Sequence, residues 1–154
     1  MWWVYVLAQL ASRDPDFWDC SSGFDYVING AYAMGMLLLG WTLAIMSRDQ
    51  SRKWQRAGLA GAVGASVSAV ANTLEHCAQA PLGLPYVIGL LVTILVCIAL
   101  GLRLFVGRPR LWAGAGLIFT GVSPFPLADS FGWGFAVGLT VTAVAQVLAD
   151  KHDR

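Results

Sequence analysis

The chain has 154 residues, of which 57% are hydrophobic and only 12% charged, about half of the roughly 25% charged residues found in ordinary soluble domains. A net charge of +1 leaves no bulk basic field to attract nucleic acid, and the sequence holds neither paired zinc-type cysteines nor a Gly-rich phosphate loop. Charges are confined to short segments between long uncharged stretches. That is the pattern of an all-α, polytopic integral membrane bundle, read as a single membrane domain over residues 1–154.

The first segment, MWWVYVLAQLASRDP, lacks the positive start of a signal peptide, and its apolar run of about ten residues is too short to span a bilayer. Trp2, Trp3 and Tyr5 are expected at headgroup level, with Val4, Val6 and Leu7 dipping into the membrane. Residues 1–25 then form an outer interfacial segment or cap. Its second half, SRDPDFWDCSSGFD, combines four aspartates with Phe17, Trp18 and Phe24. It reads either as an outer loop with interfacial aromatics or as a lid that walls the mouth of the bundle.

Five spans are expected, over about 26–46, 57–80, 84–105, 111–127 and 131–149, each near the roughly 20 residues a spanning helix needs. The third extends past residue 102 if Arg103 snorkels. The stretch 111–149 is divided by SPFPLADS, where Pro124, Pro126 and Asp129 make a turn. The fourth span is short, and a re-entrant half-helix is the alternative. Nine of the ten basic residues fall between spans one and two, between or beside spans three and four, or at the C-terminus. The positive-inside rule makes that side cytoplasmic and puts the N-terminus outside, in a multi-pass protein of the cell membrane. The loop SRDQSRKWQR, with four basic residues and Trp54, is expected to contact anionic headgroups.

One stretch departs from this apolar background. VANTLEHCAQA, residues 70–80, closes the second span and carries Asn72, Glu75, His76 and Gln79. Glu75 lies five residues from the outer end of that span, about 7–8 Å deep at 1.5 Å per residue. Gly61, Ala65, Ser68, Asn72, Glu75 and Gln79 recur at spacings of four and three, so they share one face, which is expected to point into the bundle. Two readings stand side by side. The polar groups tie this helix to its neighbours, or they form a site, the default for ionisable groups at membrane depth. In the second reading Glu75, His76, Asp25 and Asp129 are the candidate acid–base groups. Asn72, Gln79, Tyr26, Trp18, Tyr86 and Trp133 would supply the ligand-binding walls.

Glu75, His76 and Cys77 are metal-ligand types, but His152 lies at the opposite end and no ligand spacing is recognisable, so neither a metal nor a cofactor is expected. Cys97 reads as a core residue. Cys20 and Cys77 either form a disulfide on the oxidising side or remain free thiols. Gly134 and Gly138 make a GxxxG, Gly58, Gly61 and Gly64 repeat every third residue, and Gly114 and Gly116 lie in span four. These serve close packing within the chain or dimerisation.

Three functions fit. The first is an outer-leaflet site for an apolar or lipid-like small molecule, with acid-initiated isomerisation or cyclisation as the cheapest chemistry for one carboxyl and 18 aromatics. The second is a non-catalytic accessory subunit whose polar stripe meets another protein in a membrane complex. The third, an oligomeric small transporter, would need a homodimer and lacks an inverted repeat. Membrane lipid is the partner common to all three, and nucleic acid to none.

Overall fold

The computed structural model describes residues 1–11, 20, 22–106, 111–123 and 131–152, with the side chains of residues 9, 131–133 and 149–152 outside that description. Six α-helices and no strand occur among the described residues: α1 (Trp2–Ala11), α2 (Gly23–Ser47), α3 (Arg52–Ala78), α4 (Gly83–Val106), α5 (Leu111–Val122) and α6 (Phe131–His152). Helices α2, α3 and α4, of 25, 27 and 24 residues, are long and apolar enough to cross a membrane, with mean hydropathies of 1.4, 1.3 and 2.6. They point to a membrane protein. The described apolar parts of α5 and α6 are shorter.

Local chemistry sets the helix ends. α2 starts three residues earlier than the hydropathy pattern predicts because Ser22 caps it. The Ser22 hydroxyl accepts from the Asp25 amide at 3.3 Å, and the Asp25 carboxylate accepts from the Ser22 amide at 2.7 Å, a capping box. α3 begins at Arg52 rather than near 57 because Arg, Lys and Gln are good helix formers that extend the helix into the polar segment. It stops where Gln79 turns left-handed at φ 53° and the Ala80 amide returns to the Leu74 carbonyl at 3.1 Å. Pro85 falls within the first turn of α4, where a missing amide costs little.

Consecutive helices from α2 to α6 pack side by side and antiparallel. A Cβ on Gly40 would meet Ala62 on α3, and one on Gly89 would lie 2.6 Å from the Gly64 carbonyl. In the same way Gly101 on α4 faces Gly114 on α5, and Gly138 on α6 faces Gly116 on α5. Three threonines sit four residues after such a glycine and return their hydroxyls to its carbonyl: Thr93 to Gly89, Thr120 to Gly116 and Thr142 to Gly138, at 2.8, 2.8 and 2.9 Å. The up-and-down order brings Asp25, Glu75 and Tyr86 to one end of the bundle. Arg48, Arg52, Lys53, Arg56 and Arg103 lie at or near the other.

The N-terminal segment departs from expectation. Trp2 and Tyr5 are 5% and 1% exposed rather than lying at headgroup level. α1 runs antiparallel to α2, with Trp2 against Gly35 and Tyr5 against Tyr32, and it packs between α2 and α6. The physical reason is space. Gly35 leaves a recess for an indole, so the rings bury against α2 and Phe135 of α6, and edge-to-face aromatic pairs add to that burial. Val6 is buried with them, while Val4, Leu7 and Leu10 face outward.

Candidate functional site

A ladder of polar contacts climbs the α2–α3 interface at the Asp25 end. Asp25, Asn29 and Tyr32 follow one face of α2 at spacings of four and three. Ser68, Asn72 and Glu75 do the same on α3, running the opposite way. The Tyr32 hydroxyl pairs with that of Ser68 at 3.2 Å. The Asn72 amide donates to Asn29 Oδ1 at 3.1 Å, and the Asn29 amide donates to the Asp25 carbonyl at 3.1 Å. All of these groups except Glu75 are buried. Such bonds between helices in a membrane are each worth about 0.6–2 kcal/mol.

A second line crosses to α4. The Tyr86 ring packs against that of Tyr32, with centroids 6.4 Å apart, and Tyr86 also lies within electrostatic reach of Glu75. A Cβ on Gly83 would stand 3.1 Å from Glu75 Oε1, so the carboxyl rests over the start of α4. Glu75, Tyr86, Tyr32 and Ser68 thus form a file of oxygen-bearing side chains from the half-buried rim to the buried interior. Tyr32 meets Trp2 edge-on, with centroids 5.7 Å apart, and Trp2 meets Tyr5 at 5.8 Å and Phe135 at 4.6 Å. The inner end of the file is therefore wrapped in aromatic rings.

Outside this file, α3 and α4 leave an apolar groove of about 360 Å³, lined by Ser66, Val67, Val70, Ala71, Leu82 and Pro85. Val67, Ala71 and Glu75 follow at four-residue spacing on one face of α3, so the carboxyl sits one turn beyond the groove. Cys20 and Cys77 are joined by a disulfide, with Cα atoms 5.0 Å apart. It ties the chain ahead of α2 to the last turn of α3, two residues beyond Glu75.

The residues expected at a site separate in space. Glu75, Tyr86 and Asn72 belong to this linked arrangement. His76 is half-buried on the adjoining flank of α3. Asp25 has its carboxylate engaged in the α2 cap and is 2% exposed. Gln79 is the left-handed terminator of α3 and is exposed, and Tyr26 is 57% exposed, away from the ladder. Asp129 and Trp18 lie outside the described residues, as does the side chain of Trp133. Among the described residues no three His, Cys, Asp or Glu side chains gather as they would around a metal ion.

Sequence reasoning missed Asn29 and Tyr32. The signal was present in DYVINGAYA, where Asp25, Asn29 and Tyr32 repeat the four-three spacing of Ser68, Asn72 and Glu75. Two matching polar stripes on neighbouring antiparallel helices are complementary.

No protein family matches the chain, and no curated protein or solved structure is similar to it. The chemistry of the site therefore rests on its own residues. A rim carboxyl beside the Tyr86 phenol can give a proton to, or take one from, a molecule held at the rim. The same carboxyl, beside an apolar groove, can hold the polar end of an amphipathic molecule.

Proposed function

We propose that the chain is a five-span protein of the cell membrane, with the N-terminus outside and the C-terminus cytoplasmic, whose outer-leaflet site binds an apolar or lipid-like small molecule. The observation that carries this reading is the file Glu75–Tyr86–Tyr32–Ser68 beside the α3–α4 groove. The apolar part of the ligand lies along Val67, Val70 and Ala71, and its polar end meets Glu75, with His76 alongside. The orientation is supported by the basic residues gathered at the far end. The disulfide next to Glu75 supports it too, since disulfides persist in oxidising compartments. Proton transfer from Glu75 to the bound molecule is the reaction this set permits, and the half-buried carboxyl regains its proton from water at the rim. Asp25 stays outside this chemistry because the cap occupies it.

The test is native mass spectrometry of gently extracted protein, comparing wild type with Glu75→Gln and Tyr86→Phe. A small molecule that copurifies with wild type and is lost in Glu75→Gln, at unchanged thermal stability, is the expected result. A stable protein partner and no small molecule would replace this reading with that of an accessory subunit.

A further inference from the structure

Between α2 and α6 the bundle is open on one side for half its length. The two helices do not pack along each other as the other neighbours do, and α1 fills the gap only at the Asp25 end. α1 has 10 residues, about 15 Å, or half of a roughly 30 Å hydrocarbon core. The remaining half is a crevice of about 690 Å³. Trp2 and Trp3 roof it, Leu38 and Ile45 line it on α2, Ala143 and Val147 line it on α6, and Asp49 stands at its far rim. Trp3 is pinned there by donating its indole N–H to Thr140 Oγ1 at 3.0 Å.

The shape selects the occupant. From Leu38 to the end of α2 at Ser47 is nine residues of helix, about 14 Å, close to the depth of one leaflet, and Asp49 follows in the turn. A spanning helix of a partner or of a second copy would run past Trp2 and collide with α1. A single alkyl chain ends where Trp2 stands. The volume lies within the roughly 300–1,000 Å³ of small-molecule sites, and the walls are mostly apolar, with Thr42 and Gln146 among them. Charge selects the headgroup. Arg48, Arg52 and Lys53 are all exposed at this end, with Asp49 beside them. Basic residues near a membrane surface attract anionic lipid.

We infer that the crevice between α2 and α6 is a binding site for an anionic phospholipid of the leaflet on the arginine side. One acyl chain lies under Trp2 and the phosphate lies beside Arg48 and Arg52. The site is separate from the one at Glu75.

The experiment reconstitutes the full chain into vesicles of mixed phosphatidylglycerol and phosphatidylcholine, extracts it gently and counts retained lipids by native mass spectrometry. Wild type should keep phosphatidylglycerol in preference to phosphatidylcholine. Ala143→Trp, which fills the crevice, and the pair Arg48→Gln/Arg52→Gln, which strips the rim, should each lower retention about ten-fold. Leu95→Trp, on the outward face of α4, should leave it unchanged. Circular dichroism checks that each variant folds. If Ala143→Trp does not, Val147→Phe tests the same wall nearer the rim. Equal retention by crevice and control variants would overturn the site, and equal retention of the two lipids would overturn its headgroup. A dimer that dissociates in Ala143→Trp would overturn it in favour of a contact between copies.

Discussion

Asn72 and Asn29 illustrate how single residues hold this bundle. Their side-chain bond joins two antiparallel helices at a depth where water does not compete, and Asn29 passes the link on to the Asp25 carbonyl. Asn72→Leu should therefore destabilise the fold by about 1–2 kcal/mol. With Asn29→Leu the pair should cost less than the sum of the two single changes, because both remove one bond. A double-mutant cycle of unfolding in mixed micelles reads this directly. Gln79 offers a change in the other direction. It holds a left-handed conformation at φ 53° that costs a side-chain-bearing residue about 1 kcal/mol or more. Gln79→Gly should raise the melting temperature, the gain being reduced by the greater freedom of glycine in the unfolded chain. The polar stripe on α3 was legible at this scale because its residues lie in one helix. Which partner each residue meets was not, since Asn29, Tyr32 and Tyr86 come from two other helices.

At the scale of elements, glycine decides how closely the helices approach. Without a hydrophobic drive between helices in lipid, packing and hydrogen bonds bring them together. Gly89 lies against backbone, with its added Cβ 2.6 Å from the Gly64 carbonyl and 2.8 Å from the Ser68 amide, whereas Gly30 has nothing within 4 Å. Gly89→Ala should thus destabilise by about 1–3 kcal/mol through overpacking. Gly30→Ala should be neutral or stabilise by about 0.5–1 kcal/mol through helix propensity. Thermal unfolding of the two variants in one detergent separates contact from propensity. The three long apolar helices were readable to within a few residues from hydropathy, and the remaining error came from the Ser22 cap and the basic first turn of α3. The placement of α1 was not readable. Ten apolar residues with aromatics fit an interface as well as an interior, and only the recess at Gly35, 33 residues away, chooses the interior.

For the whole molecule, the disulfide closes a loop that contains α2 and most of α3, a separation of 57 residues. Loss of it in Cys20→Ser should cost about 2–4 kcal/mol, less if the two helices stay associated in the unfolded membrane state. Thermal unfolding with and without reductant should show the same shift in wild type and no shift in the variant. The orientation proposed above has its own check. In intact cells a membrane-impermeant thiol reagent should label the Cys77 thiol left by Cys20→Ser only from the outer side, and a cysteine placed at Arg52 only after the cells are opened. Labelling of Arg52→Cys in intact cells would reverse the orientation.

By itself the sequence determined that the chain is helical and apolar, that its longest helices can cross a membrane, and that charge is sorted along it. These follow from composition and period, which are properties of neighbouring residues. It also marked the polar stripe of α3, because a helix turns i, i+3 and i+4 onto one face. Only the tertiary structure decided that Asn72 meets Asn29, that Glu75 reaches Tyr86, that Asp25 is spent on a cap, and that α1 enters the bundle and leaves a crevice beneath it. Each of those depends on contacts between residues far apart in the chain, and the glycine recesses that permit them have no side chain to announce them.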